Sequence, residues 1–326
     1  MPATTVWKGT VVALAVFVLL ASGNMVRSAE GMPLGWQRSV AIAVAGAIDR
    51  VANFTSLNRP YDWAAEQLGV EQENRDFEFP ATTTTVAADP AAPTTTTTLP
   101  PVRVPTAQDP LRIVVAGDST AKSLGEELQK KVTDRPELQV VVEGKVSTGL
   151  ARSDYFNWGA RLAELVEVDD PEVVLFMVGA NDGQSILDGD GTIVAQFDRP
   201  NWEEEYRRRI AGIMDLAGGG ARRMIWVGEP NVGTGNVQRA IQIGNRLAEE
   251  EAARRPWVTY FDVAAIVAGP DGEYSEFITL PDGSTARCYA GDGVHLGVRC
   301  LDRVMEELVP AITELYGTAE VSRSGP

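Results

Sequence analysis

The chain has 326 residues, enough for one large domain or two of ordinary size. Hydrophobic residues make up 44% of it, which excludes a chain that is disordered throughout. The net charge of −16 and the isoelectric point near 4.6 argue against a nucleic-acid partner, because phosphate binding requires a basic surface.

The N-terminal segment, residues 1–31, contains 18 uncharged residues between Lys8 and Arg27. That length is at the lower limit for a helix that crosses a bilayer. The segment predicts an uncleaved signal anchor, so that the protein is held in the cell membrane by a single pass. A signal peptide cleaved near residues 21–23, which would give a secreted protein, and a buried helix of a soluble domain are the alternatives.

The next segment, residues 32–79, places apolar residues at helical spacing and predicts an amphipathic juxtamembrane helix of unassigned role. These residues are Trp36, Val40, Val44, Ile48, Val51 and Phe54. Residues 80–110 hold seven prolines and ten threonines and no aromatic residue. Such a composition cannot bury a core, and it predicts a disordered, extended linker that acts as a stalk outside the cytoplasm, with a plain interdomain linker as the alternative.

From residue 111 onward, apolar runs alternate with helical patterns. Strands are predicted at residues 111–117, 138–144, 172–179, 222–228 and 257–263, and helices at 120–132, 158–167, 202–217, 236–254 and 298–316. The strands are rich in Val and Ile, as is typical of strands buried on both faces of a parallel sheet. We therefore predict a three-layer α/β/α sandwich with a five-stranded parallel sheet over residues 111–318, followed by a disordered tail at 319–326.

The first predicted strand ends in Gly117-Asp118-Ser119, where the next helix begins. In open parallel sheets, ligands bind just beyond the carboxyl ends of the strands. The Ser119 hydroxyl is therefore expected on a tight turn, beside the N–H groups of a helix start. Because Asp and Ser are also common helix caps, this motif alone favours capping over catalysis.

The segment 288–300 contains His295, the only histidine of the chain. A serine hydroxyl becomes a good nucleophile only when a base takes its proton, and His295 is the only imidazole that can do so for Ser119. Asp292, three residues earlier, can accept a hydrogen bond from the ring and fix its tautomer. Taken alone, a solitary histidine near an aspartate is more often an ordinary loop residue.

The only two cysteines, Cys288 and Cys300, flank Asp292 and His295. In an oxidising compartment they can form a disulfide that restrains the loop of the candidate base. Two separate buried thiols are the main alternative. A zinc site of both cysteines and His295 is disfavoured, because its spacing fits no usual pattern and a fourth ligand is missing.

Two further residues follow strand ends and can donate hydrogen bonds to a developing oxyanion. Gly149, after the second strand, offers a backbone N–H without a Cβ in the way. Asn181, in Gly-Ala-Asn-Asp after the third strand, offers a side-chain amide, and the Ser119 N–H is a third donor. Considered singly, each is explained as well by a turn.

Taken in chain order, these motifs resemble those of the SGNH (GDSL) hydrolase superfamily. They are GDS after the first strand, a glycine after the second, G-x-N-D after the third and D-x-x-H before the last helix. The resemblance covers residues 111–316, and the layout with an anchor and a linker looks most like bacterial envelope members. It implies an SGNH-type, flavodoxin-like fold.

The resemblance also implies the roles of five residues. Ser119 would be the nucleophile, His295 the general base and Asp292 the residue that orients His295. Ser119, Gly149 and Asn181 would form the oxyanion hole. The implied enzyme is an esterase, lipase or acyltransferase that uses neither a metal nor another cofactor.

Three residues are predicted as candidates for substrate contact: Thr120, Tyr155 and Trp158. Thr120 stands where the superfamily motif usually has leucine, and core packing is an equal alternative for the two aromatic residues. The predicted function is hydrolysis of an acylated small molecule or of O-acetyl esters on cell-envelope glycans. The alternatives are an O-acyltransferase with the same triad and a non-catalytic binding or scaffold module.

Overall fold

The computed structural model describes residues 25, 40–41, 43–48, 51, 77, 79, 103–233 and 235–316. The chain divides into two units, Met1–Asn74 and Arg75–Pro326. In the first unit the described residues from position 40 to 51 are helical, within the segment for which a helix is predicted. Apart from Met25, the predicted membrane segment 1–31 lies outside the described residues, as do the tail 319–326 and residues 80–102 of the predicted linker. None of the helices in the described ranges combines the length and the apolar character needed to span a bilayer.

The second unit contains nine strands within residues 103–316. They are β1 (Leu111–Gly117), β2 (Leu138–Gly144), β3 (Val173–Met177), β4 (Ile186–Leu187), β5 (Ile193–Ala195), β6 (Arg223–Val227), β7 (Val258–Phe261), β8 (Phe277–Thr279) and β9 (Thr285–Arg287). Five of them form a parallel sheet in the order β2-β1-β3-β6-β7. The others form two antiparallel hairpins, β4 with β5 and β8 with β9.

The helices of this unit cover both faces of the sheet. They are α1 (Ser119–Lys131), α2 (Trp158–Val168), α3 (Pro200–Ala217), α4 (Gly235–Ala252), α5 (Val263–Ile266) and α6 (Val298–Glu314). Successive residues of a strand point to opposite faces. Accordingly, Val114 and Ala116 of β1 pack in the core with α2, α3 and α4, whereas Ile113 and Val115 pack in the core with α1, α5 and α6. The predicted three-layer sandwich is confirmed.

The predicted elements agree closely with the observed ones. Each of the five sheet strands and five long helices begins and ends within two residues of its predicted position. All five residues of β3 and of β6 are buried, which explains why apolar runs in the sequence predicted these strands correctly. The two hairpins and α5 were not predicted, because elements of two to four residues carry too little periodicity to be recognised.

Two residues ahead of the Thr/Pro-rich segment, Phe77 and Phe79, pack on the sandwich. Phe79 is buried in the core beside α2 and α3, and Asn157 Nδ2 donates to the Phe77 carbonyl over 3.0 Å. A Cβ at Gly159 would lie 2.5 Å from the Phe77 ring, and one at Gly212 would lie 2.3 Å from the Phe79 ring. The domain therefore includes residues that the sequence analysis assigned to the juxtamembrane segment.

The last part of the predicted linker, residues 103–110, is also attached to this domain. Arg103 donates to both carboxylate oxygens of Glu172 over 2.7 Å, and its Nη1 donates to the Asp109 carbonyl over 2.6 Å. Planar, two-pronged pairing of this kind is the strong form of a charge-assisted hydrogen bond. The folded domain thus begins before residue 111, contrary to the predicted boundary.

Candidate active site

Four of the loops that follow parallel strands meet at the carboxyl edge of the sheet. The loop after β1 carries Ser119, the loop after β3 carries Asn181 and the loop after β6 carries Glu229. The loop after β2 consists of residues 145–157. The turn from β1 into α1 is tight. A Cβ at Gly117, whose φ is +143°, would lie 1.9 Å from the Met177 carbonyl oxygen, so only glycine fits there.

The structure brings Ser119, His295 and Asp292 into one hydrogen-bonded chain, although Ser119 and His295 are 176 residues apart. Ser119 Oγ lies 2.8 Å from His295 Nε2, and His295 Nδ1 lies 2.7 Å from Asp292 Oδ2. With the Nδ1 proton donated to Asp292, Nε2 can accept the proton of the serine hydroxyl. The side chain of His295 is 33% exposed, so a substrate can reach this site from solvent.

Asp292 is held in its ionised form. Desolvation opposes ionisation, but hydrogen bonds from the Val294 backbone and from His295 outweigh it and keep the pKa of Asp292 below its usual value. Asp292 Oδ1 accepts from the N–H groups of Val294 and His295 over 3.0 and 3.1 Å. The carboxylate therefore fixes both the ring and its backbone, and it can stabilise an imidazolium.

The loop that carries His295 is closed at its base by a disulfide. Cys288 and Cys300 are bonded and fully buried, so the structure contains neither the two free thiols nor the zinc site considered above. Two backbone hydrogen bonds, from Ala290 N to the His295 carbonyl and from Gly297 N to the Cys288 carbonyl, further limit the loop.

Replacing both cysteines with alanine should lower the free energy of unfolding by about 3 kcal/mol, because the disulfide closes a short loop of the unfolded chain. Alanine leaves no polar atom at the buried sulfur positions. Urea unfolding with and without reductant measures the effect. The free energy of unfolding of the reduced wild type should approach that of the variant, whose own value should not change with reductant. Equal stability of variant and unreduced wild type would show that no disulfide restrains the native loop.

The loop after β2 is fixed to the loop after β3 by Asp182. Its two carboxylate oxygens accept from the backbone N–H groups of Leu150 and Ala151 over 3.0 and 2.8 Å, and from the Tyr206 hydroxyl over 2.7 Å. A Cβ at Gly149 would lie 2.2 Å from Asp182 Oδ1. Gly149 is thus required by close approach to a carboxylate, in addition to any role of its N–H.

Asn181 lies against the same loop. Its Nδ2 donates to the Thr148 carbonyl over 2.9 Å and faces Asp118 Oδ2 at 3.4 Å. Asp118 in turn caps α1, since Oδ1 accepts from the Thr120 N–H over 2.8 Å. The predicted donors Gly149 and Asn181 are therefore placed together, next to the helix that begins at Ser119.

A buried arginine also supports this loop. Arg209 donates to the carbonyls of Leu150 and Leu187 and to Ser153 Oγ, over 2.6 to 2.8 Å. Neither Asp182 nor Arg209 was predicted as a site residue. Asp182 belongs to the motif that supplied Asn181, so its position was visible in the sequence, whereas nothing marks Arg209 within its amphipathic helix.

Of the three candidates for substrate contact, two pack in or against the core, and Thr120 borders a small pocket. Trp158 is only 1% exposed, and its Nε1 donates to Thr148 Oγ1 over 2.9 Å, so it is a core residue and cannot line a groove. Tyr155 is half-buried and packs against the same core. Thr120 is buried, with its hydroxyl directed to Asp118 and Glu229. Its polar group faces the interior of the protein.

Glu229 is a buried residue of the site edge that the sequence analysis missed. It belongs to the motif Gly228-Glu229-Pro230-Asn231, which follows the strand β6 as the other three motifs follow their strands. Burial, together with the charge of Asp118, raises the pKa of Glu229 well above its usual value. Burial likewise raises the pKa of Asp118 to about 6.

Residues 112–311, more than half of the chain, match the family model "Protein of unknown function (DUF459)". No curated protein sequence matches the chain. Similar solved structures include a GDSL-like lipase from Bacteroides thetaiotaomicron VPI-5482, with 16% identity, 65% of this chain and 92% of that chain covered, and a TM-score of 0.45. The carbohydrate acetylesterase Est24 from Sinorhizobium meliloti has 15% identity, coverage of 62% and 98%, and a TM-score of 0.43. A catalytic mutant of Axe2, an acetylxylan esterase from Geobacillus stearothermophilus, has 16% identity, covers 63% of this chain and 93% of its own, and has a TM-score of 0.43.

The chain belongs to the DUF459 family.

Proposed function

We propose that this protein is a serine esterase that cleaves O-acyl esters through an acyl-enzyme on Ser119. The observation that carries the proposal is the continuous hydrogen-bonded chain from Ser119 Oγ through His295 to Asp292. A serine, an imidazole and a carboxylate in this sequence of contacts are the parts that nucleophilic acyl transfer requires.

In the proposed reaction, Ser119 Oγ attacks the ester carbonyl carbon while its proton moves to His295 Nε2. The carbonyl oxygen becomes an oxyanion, for which the N–H groups of Ser119 and Gly149 are donors. The amide of Asn181 is the third donor, by exchanging its long 3.4 Å contact with Asp118 for the oxyanion. The imidazolium then gives its proton to the leaving alkoxide. Water attacks the acyl-enzyme with His295 again as base, which releases the acid and restores the serine.

The proposed substrates are short acyl esters, above all O-acetyl groups on cell-envelope glycans. A small apolar pocket, lined in part by residues adjacent in sequence to Ser119 and His295, supports the proposal of a short acyl group. It is lined by Thr120, Ser123, Leu124, Met177, Pro230, Val294, Leu296 and Leu301. A carbohydrate alcohol is a suitable leaving group, because His295 is partly exposed and a large alcohol can extend from it into solvent.

The proposal also places the domain outside the cytoplasm, held by the membrane helix predicted at residues 1–31. The disulfide supports this position, because disulfides persist in oxidising compartments. Protease added to intact producing cells should degrade the domain; full protection would contradict an outward position.

The full chain, purified in detergent, should hydrolyse p-nitrophenyl acetate at least about tenfold faster, in kcat/KM, than the octanoate, because the pocket is small. O-acetylated glycans should then release acetate. Transfer of the acetyl group to an added glycan, in place of release, would identify an acyltransferase with the same triad. Absence of both reactions on every ester, with Ser119 unlabelled by a fluorophosphonate, would contradict the proposal.

A further inference from the structure

A single hydroxyl lies between two buried carboxyl groups beneath the candidate active site. Thr120 Oγ1 is 2.5 Å from Asp118 Oδ1 and 2.7 Å from Glu229 Oε1. Asp118 is fully buried and Glu229 is 1% exposed, so no bulk water separates these groups. Both distances are those of hydrogen bonds between oxygen atoms.

These two contacts require two protons. A threonine hydroxyl has one proton and can donate to only one of the carboxyl groups. The second short contact must therefore be made by a proton on a carboxyl oxygen, with Thr120 Oγ1 as acceptor. One of the two acids is accordingly neutral.

The surroundings assign that proton to Glu229. Asp118 Oδ1 also accepts from the Thr120 N–H, and Asp118 Oδ2 faces the Asn181 amide, so Asp118 has the donors that stabilise a carboxylate. Glu229 Oε2, by contrast, has no hydrogen-bond partner within the described part of the chain. A buried oxygen without a partner costs far less in a neutral acid than in a carboxylate.

We propose that Glu229 is a positioning residue that is held as a neutral carboxylic acid and donates to Thr120 Oγ1. Thr120 then donates to Asp118, which caps α1 and faces Asn181. The start of α1 carries Ser119, so this relay reaches both the candidate nucleophile and a candidate oxyanion donor. The proton of Glu229 prevents two adjacent carboxylates from competing for one hydroxyl.

The electrostatic environment agrees with this assignment. Burial is the main reason that the pKa of Glu229 lies well above its usual value, and the charges of Asp118 and Asp182 add to the effect. Hydrogen bonds with Thr120 and with the Ala180 backbone act in the opposite direction and do not offset it. The other titratable groups that face this carboxyl are the phenols of Tyr206 and Tyr260. Both phenols are neutral near pH 7, since the pKa of each is raised above 10, and neither supplies a positive charge that would favour a carboxylate.

Spectroscopy of the wild-type full chain tests the protonation state without reference to activity. With glutamate labelled by carbon-13 at the side-chain carboxyl, NMR at pH 7 should show one carboxyl resonance at the position of a neutral acid. Infrared spectra should show the matching band of a protonated carboxyl, absent in E229Q. E251Q is the matched control, because Glu251 is also buried but is paired with Arg255 and ionised. Absence of a neutral glutamate in the wild type would overturn the proposal.

Ester hydrolysis tests the positioning role, and this readout rests on the proposed function. E229Q keeps a neutral donor and should retain kcat within about threefold of wild type. E229A and T120V break the relay and should each lower kcat at least about tenfold, with a smaller change in KM. Wild-type kcat in folded E229A would overturn the positioning role. If even wild type lacks esterase activity, the proposed function fails, whereas the spectra still decide the state of Glu229.

Discussion

Replacing Ser119 with alanine, or His295 with asparagine, should lower kcat/KM for p-nitrophenyl acetate by at least about 10³-fold. The alanine variant has no nucleophile, and the asparagine variant cannot take the serine proton over the 2.8 Å contact. Neither change should unfold the protein, because both side chains lie at the surface end of the site. Initial rates, together with fluorophosphonate labelling followed by mass spectrometry of the labelled peptide, measure the effect.

The matched control is Ser284→Ala, which removes a serine hydroxyl from the turn between β8 and β9. It should keep the wild-type rate within about twofold. Both active-site variants should also lose labelling at Ser119. If all these proteins hydrolyse the ester equally fast, the triad geometry performs no catalysis, and a binding or scaffold module becomes the better interpretation of the domain.

Replacing Asp182 with alanine should destabilise the protein by more than about 3 kcal/mol. The substitution leaves the N–H groups of Leu150 and Ala151 and the Tyr206 hydroxyl buried without an acceptor, and each such loss costs about 1–3 kcal/mol. In the folded fraction, kcat should fall more than KM rises, because the Gly149 N–H depends on this loop. Urea unfolding and steady-state kinetics measure the two effects.

Asp188→Ala is a suitable comparison for Asp182→Ala. Asp188 Oδ1 also accepts from two backbone N–H groups, those of Asp190 and Thr192, but in an exposed turn where water can replace it. Its loss should cost less than about 1 kcal/mol. Similar destabilisation by the two substitutions would mean that the buried hydrogen bonds of Asp182 stabilise the candidate oxyanion loop no more than those of an exposed turn.

The fold was predictable because its central strands are buried on both faces. Such strands appear as continuous Val- and Ile-rich runs, and the alternation with helical patterns implies parallel order. The pairing of Ser119 with His295 could be inferred across 176 residues for a simpler reason: the chain has one histidine, so a serine mechanism had no other base. The hairpins were missed because their strands are only two or three residues long.

The errors at the site have a common physical origin. Sequence position alone does not tell whether a side chain near a strand end points outward or into the core. Trp158 follows the candidate oxyanion loop and was a candidate for substrate contact, with core packing as an equal alternative; it is packed edge-on against Phe156 and Phe176. Glu229 was missed because a short motif after a strand gives no sign of burial, and acidic side chains are rarely buried.

The attachments at Phe79 and Arg103 change how the Thr/Pro-rich stretch can serve the proposed membrane protein. Phe79 and Arg103, which flank residues 80–102 in the sequence, are both attached to the same folded domain. In a tether between bilayer and catalytic centre, the residues between these two attachments therefore add no length. The reach of such a tether has to come from the chain before Phe77, so shortening the threonine runs should leave the distance of the enzyme from the lipid unchanged.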